Sequence, residues 1–216
     1  MEKAAEPPRP VRFKSQGRYK GVKEVKPFVR GNWKEWLQFQ QQVNQLYIFL
    51  GMNTSQESSE GLQEVLGQLL VGRDLDLFYG QVQRERRAGA TVATAIRRAM
   101  DMLTDRYCPL GTRDKLHEEI KGLRKSRNST VEQYFAQFEA LVQLEYWVRD
   151  DDGSRLSTTD QCKFFSRGMP RSWQMQVWPQ QASWTDLEEL RTRYMQCEAV
   201  EQQPEIGMRG SPGKAR

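Results

Sequence analysis

The sequence predicts an all-α fold, laid out as two small helical lobes with a flexible basic N-terminal arm and a C-terminal tail. Three observations lead there. Apolar side chains recur at three- and four-residue steps through most of residues 33–200. Alternation of period two never extends beyond four residues, so no strand is expected. The 216 residues are 38% hydrophobic and 28% charged, a composition that suits two economical cores.

Residues 1–25 are the expected arm. Pro7, Pro8 and Pro10 lie in a charged stretch with few apolar residues, which cannot offset the entropy of ordering it. Charge is uneven along the chain. Of the net +5, residues 1–30 supply +6, nine Lys and Arg against Glu2, Glu6 and Glu24, and the other 186 residues sum to −1.

Helices follow in order. Asn32 precedes Trp33-Lys34-Glu35 as a capping side chain precedes an acidic residue at the third helical position, which predicts a helix over 33–50. Leu62, Val65, Leu66, Leu69 and Leu70 mark a second, broken at Gly72, and Leu75, Phe78, Tyr79 and Val82 a third. A fourth runs from about Thr91 to Tyr107 and stops at Pro109 and Gly111. Leu116, Ile120 and Leu123 form a short helical stretch before the charged turn Lys125-Ser126-Arg127-Asn128. Ser129 with Glu132 reads as a second capping box, opening the cleanest amphipathic helix of the chain, with Val131, Tyr134, Phe135, Phe138 and Leu141 on its apolar stripe.

Residues 149–154 read as an exposed loop. Thr158 or Thr159 then caps a helix carrying Cys162, Phe164 and Phe165 that ends at Gly168. Pro170 starts a short helix with Trp173 and Val177, closed by Pro179. Ser183 or Thr185 caps the last, in which Leu187, Leu190, Tyr194, Cys197 and Val200 can face inward. The expected division is an arm over 1–25, a first lobe over 26–112, a second over 113–203 and a tail over 204–216.

Several functions are excluded on chemistry. The chain has a single histidine, His117, on a charged helix where a solvated surface position is expected, so no catalytic base is offered. Cys108, Cys162 and Cys197 are too widely spaced for a zinc site and, being odd in number, suit free thiols of a reducing compartment. The stretch Gly207 to Lys214 misses the phosphate-loop spacing and has Ala215 where that loop needs a hydroxyl. Asp150 to Asp152 lack the spacing of a calcium loop. No catalytic residue, metal or cofactor is therefore expected. No apolar run approaches the roughly 20 residues of a membrane-spanning helix, and the cytosol or nucleus is the expected location.

Four stretches in order carry a resemblance: Pro27 to Leu37, with its short extended lead-in and opening helix; Leu69-Leu70-Val71-Gly72 with Phe78-Tyr79 and Ile96 to Tyr107; Leu116 to Leu141; and Phe164-Phe165-Ser166-Arg167-Gly168-Met169-Pro170. Together they resemble the capsid region of Gag from gypsy-type long-terminal-repeat retrotransposons, over roughly residues 25–200. The resemblance implies a bilobed, retroviral capsid-like protomer that assembles into virus-like shells around element RNA, with Leu116 to Leu141 as counterpart of the major homology region. Lys125 stands where the family carries a glutamine and Ser129 where it carries an acidic residue, which puts the family's buried polar network in question. No Cys-Cys-His-Cys knuckle follows the second lobe, so the chain is expected either to stop short of it or to be a capsid-only or domesticated form.

Two surfaces are the candidate sites. Arg9, Arg12, Lys14, Arg18, Lys20, Lys23 and Lys26 of the arm would bind RNA without sequence preference by releasing counterions, and Phe13 and Tyr19 could stack on bases. Phe165, Trp173 and Trp178 are candidate assembly contacts, on the expectation that one small lobe cannot hold all three; core packing is the alternative for each. Val131, Tyr134, Phe135, Phe138 and Leu141 are expected in the second lobe's core. The expected partners are further copies of the chain and RNA, with no membrane. Two other functions remain open: a Gag-derived adaptor module that forms no shell, and a nucleic-acid-binding regulator acting through the arm.

Overall fold

The computed structural model describes residues 9–15, 21–53 and 55–202. Among them the fold is all-α apart from one hairpin.

That hairpin corrects the expectation of a strandless, flexible arm. Val11–Ser15 (β1) and Gly21–Val25 (β2) pair antiparallel, with Val11 opposite Val25 and Ser15 opposite Gly21. Phe13, Ser15 and Val25 are buried while Arg12 and Lys14 face out, so the alternation is present but spans only five residues. Burying Phe13 and Val25 offsets part of the ordering entropy that the arm's polar composition leaves uncovered. Residues 1–8 and 16–20 of the arm and 204–216 of the tail lie outside the described residues.

The helices are α1 (Trp33–Phe49), α2 (Gln56–Leu69), α3 (Arg73–Arg87), α4 (Val92–Tyr107), α5 (Thr112–Gly122), α6 (Val131–Leu144), α7 (Thr158–Arg167), α8 (Arg171–Val177) and α9 (Leu187–Gln202). Asn32 caps α1 in the expected box, its side chain accepting the Lys34 and Glu35 amides while Glu35 accepts the Asn32 amide at 2.7 Å. Thr91 caps α4. Other caps lie a residue or more from where they were expected. Thr130, not Ser129, opens α6, with Gln133, not Glu132, as its reciprocal partner. Ser157 caps α7. At α9 the Asp186 carboxylate accepts the Glu188 and Glu189 amides at 2.9 and 3.1 Å, in place of Ser183 or Thr185.

The chain divides into two compact units. One comprises the residues up to Arg113 together with Tyr146–Gly153; the other comprises Asp114–Glu145 and the residues from Ser154 onward. Tyr146–Gly153, within the span expected for the second lobe, thus packs with the first unit.

The first unit is built on an aromatic cluster. Trp36 stacks on Tyr107 with ring centroids 4.9 Å apart, and Phe28 meets both edge-on at 5.1 Å. Phe28 reaches this place because its amide donates to the Leu69 carbonyl at 2.7 Å, forming a lone parallel bridge with Leu70. Arg113, 1% exposed, binds the returning segment: its guanidinium donates to the carbonyls of Val148, Arg149 and Asp152. Asp152 in turn accepts the Gly111 and Arg113 amides at 2.5 and 2.8 Å, so it works as a remote cap for the start of α5. Residues 149–154 are therefore more than a solvated loop.

The second unit is centred on Phe165, which is fully buried. Tyr134 stacks on it at 5.1 Å, and Phe138, Phe135 and Tyr194 meet its ring at 5.3, 5.7 and 6.1 Å. Val131, Tyr134, Phe135, Phe138 and Leu141 all face this core.

Candidate functional site

The hairpin holds the described part of the basic arm. Arg9, Arg12, Lys14 and Lys26 are exposed, and Lys23 is half-buried opposite Phe13. Arg18 and Lys20 lie outside the described residues. Arg12 and Glu24 face one another across the strands, and the Arg12 Nε donates to the Glu24 carboxylate at 2.6 Å. Both side chains are open to water, so the pair adds little stability but reduces the positive charge Arg12 presents. Phe13, considered as a stacking platform, is buried and unavailable for bases; Tyr19 is outside the described residues.

The three candidate assembly aromatics separate. Phe165 is the centre of its core and Trp173 is buried, its indole N–H donating to Glu201 at 2.8 Å. Phe165 and Trp173 are therefore core residues rather than assembly contacts: Phe165 is packed among the rings of Tyr134, Phe138 and Tyr194, and Trp173 lies against Lys125 and α9. Trp178 alone stays at the surface, 37% exposed. Met175, Met195 and Val200 of α8 and α9 are more exposed still, with Met175 at 70%. Val200, expected to face inward, instead points to water, and Met175 and Met195 were not singled out from sequence, because spacing alone does not separate an outward apolar residue from an inward one.

A polar network sits at the N-terminus of α6. Lys125, whose side chain is 7% exposed, places its ammonium 3.4 Å from Glu198 and 5.2 Å from the Trp173 ring centre. Glu198 accepts the Val131 amide with both oxygens at 3.1 Å. The Lys125 amide donates to the Gly168 carbonyl at 2.9 Å. Lys125 therefore takes part in a buried polar network of its own, joined to the motif Phe164 to Pro170 through Gly168.

His117 is not the solvated residue expected. Its ring is mostly buried and its Nε2 shares a hydrogen bond with the buried carboxylate of Glu145, which also accepts the Leu156 amide at 3.2 Å. The cluster ties the end of α6 to the segment preceding α7. Burial pushes the Cys108 thiol up to about 12 and the Cys162 thiol up to about 11, so neither is a nucleophile at neutral pH. Among the described residues no three His, Cys, Asp or Glu side chains are grouped to hold a metal ion, and no helix is long and apolar enough to cross a membrane. Compared with known proteins, the chain matches no family model, no curated protein and no solved structure.

Proposed function

We propose that this chain is a Gag-like capsid protomer that assembles with its own copies into a shell around RNA. The observation that carries the reading is the two compact helical units, one of them bearing a cationic hairpin, the other apolar side chains left outside its core. Arg9, Lys14 and Lys26 supply positive charge without base-reading geometry, which suits binding to phosphates whatever the sequence. Trp178, Met175, Met195 and Val200 give small apolar contacts, each weak alone and multiplied by symmetry in a closed shell. A unit that repeats such contacts must be rigid, and the enclosed Phe165 cluster supports that.

Electron microscopy and light scattering of the purified protein across salt and concentration test this. Closed particles with nuclease-protected RNA are expected; a monomer or dimer under every condition would overturn it and favour an adaptor module. Charge reversal of Arg9, Lys14 and Lys26 should lower the salt slope of RNA binding by about 2, at roughly 0.7 for each lost contact to a single strand. Trp178→Ala with Met175→Ala should suppress particles while changing stability by less than ~0.5 kcal/mol, whereas Phe165→Ala should cost about 3–5 kcal/mol and unfold its unit.

A further inference from the structure

We propose that the corner of the second unit where α5 and α7 both end is a binding surface for the phosphate backbone of RNA, separate from the hairpin. Only the choice of RNA as the polyanion rests on the shell reading; the surface itself follows from charge. Residues 120–131 and 161–174 carry seven Lys and Arg and no Asp or Glu. Packing brings the two stretches together. The Lys125 amide donates to the Gly168 carbonyl at 2.9 Å, and the Lys121 ammonium lies 5.6 Å from the ring centre of Phe164. Arg127 lines one cleft with Pro170 and Trp173, which sets it beside the start of α8.

Most of this charge is unspent. Lys125 is taken by Glu198, and Lys121 by Glu118 at 2.8 Å. Arg124, Arg127, Lys163, Arg167 and Arg171 are all exposed, and among the described residues none of the five forms an ion pair. Arg124 closes α5, its Nη1 donating to the Lys121 and Leu123 carbonyls at 2.6 and 2.8 Å. Each helix C-terminus contributes roughly half a negative charge, so the two ends leave most of the five positive charges unbalanced. Glu198 and Glu201, which line the same cleft as Arg127, are already held by Lys125 and the Trp173 indole. Like charges gathered on one corner repel one another and gain most from an anion that spans several of them. Polar donors between the cations favour a nucleotide backbone. Ser126, Asn128 and Thr130 are exposed on either side of Arg127, and hydroxyl and carboxamide groups are common partners of phosphate and sugar oxygens.

Binding of a labelled oligouridylate to the full chain, followed by fluorescence anisotropy over a range of salt, tests the surface. Arg127→Gln, Lys163→Gln, Arg167→Gln and Arg171→Gln together should lower the salt slope by about 3, at roughly 0.7 for each lost contact to a single strand. Arg127→Gln with Lys163→Gln alone should lower it by about half as much. Replacing the three arginines by Lys instead should preserve the slope, because a phosphate responds to charge. Arg124 stays in place because it closes α5, and melting temperatures matched to the parent show that the variants fold. Reversing the hairpin charges should leave this contribution intact, so the two surfaces are read apart. A parent-like slope in both Gln variants, an equal loss in the Lys variant, or loss of binding to phosphatidylserine vesicles with the RNA slope unchanged would overturn the proposal. The expected slope losses without particles under any condition would support this surface and overturn the shell alone.

Discussion

Glu198 of α9 caps α6 from 67 residues away, both its carboxylate oxygens accepting the Val131 amide at 3.1 Å. The same carboxylate meets the Lys125 ammonium, which lies over Trp173, and Trp173 returns to α9 through its hydrogen bond with Glu201. A helix N-terminus carries partial positive charge, so an anion there is favoured twice, by the amide and by the lysine.

Removing the anion exposes how much depends on it. Glu198→Ala should cost about 2–3 kcal/mol, because the Val131 amide loses its remote cap and Lys125 is left buried and unpaired. Adding Lys125→Met should recover part of that loss by removing the stranded charge. Urea unfolding of both singles and the double variant measures the coupling; a Glu198→Ala loss under ~0.5 kcal/mol would show that the network is only a surface contact.

Gly168 and Gly80 should respond oppositely to alanine. A Cβ at Gly168 would overlap Tyr134 Oη and come within 2.8 Å of the Leu123 carbonyl, a backbone atom that cannot swing away. At Gly80, inside α3, a Cβ meets nothing within 4 Å. Thermal denaturation should show Gly168→Ala losing about 1–3 kcal/mol to overpacking, and Gly80→Ala gaining ~0.5–1 kcal/mol from helix propensity.

Alkaline pH should loosen the first unit through Tyr107. Burial, followed by its hydrogen bond to the buried Asp74 at 2.5 Å, pushes the phenol up to about 12 from an ordinary 10.0. The proton is thus held more tightly in the folded state. This contribution is complete below pH 10 and is lost as pH rises from 10 towards 12. Melting temperatures measured from pH 8 upward should fall across that window, and less steeply in Tyr107→Phe. At neutral pH that variant should itself lose about 1–3 kcal/mol, since Asp74 is left without the phenol.

Where local chemistry has one solution, the sequence was legible. Asn32 with Glu35 brackets a single helix start, and Val131 to Leu141 put five large side chains on one stripe. Where it has two, the reading slipped. Ser129 with Glu132 and Thr130 with Gln133 are equally good capping boxes one residue apart, and the choice falls to Thr130, the frame in which the Val131 amide meets Glu198. The hairpin was missed for a related reason: five residues of alternation are weak evidence until the strand partner and the buried places for Phe13 and Val25 are known.

The sequence by itself determined the all-α class, most helix positions, the stripe of α6 and the uneven charge, since each follows from periodicity or composition within a few residues. Only the tertiary structure decided which apolar side chains are enclosed. It put Phe165 and Trp173 inside and left Met175 and Trp178 out. It also supplied Asp152 and Glu198 as caps from 39 and 67 residues away. Those outcomes depend on which elements meet, and residues distant in the chain become neighbours only when the helices pack.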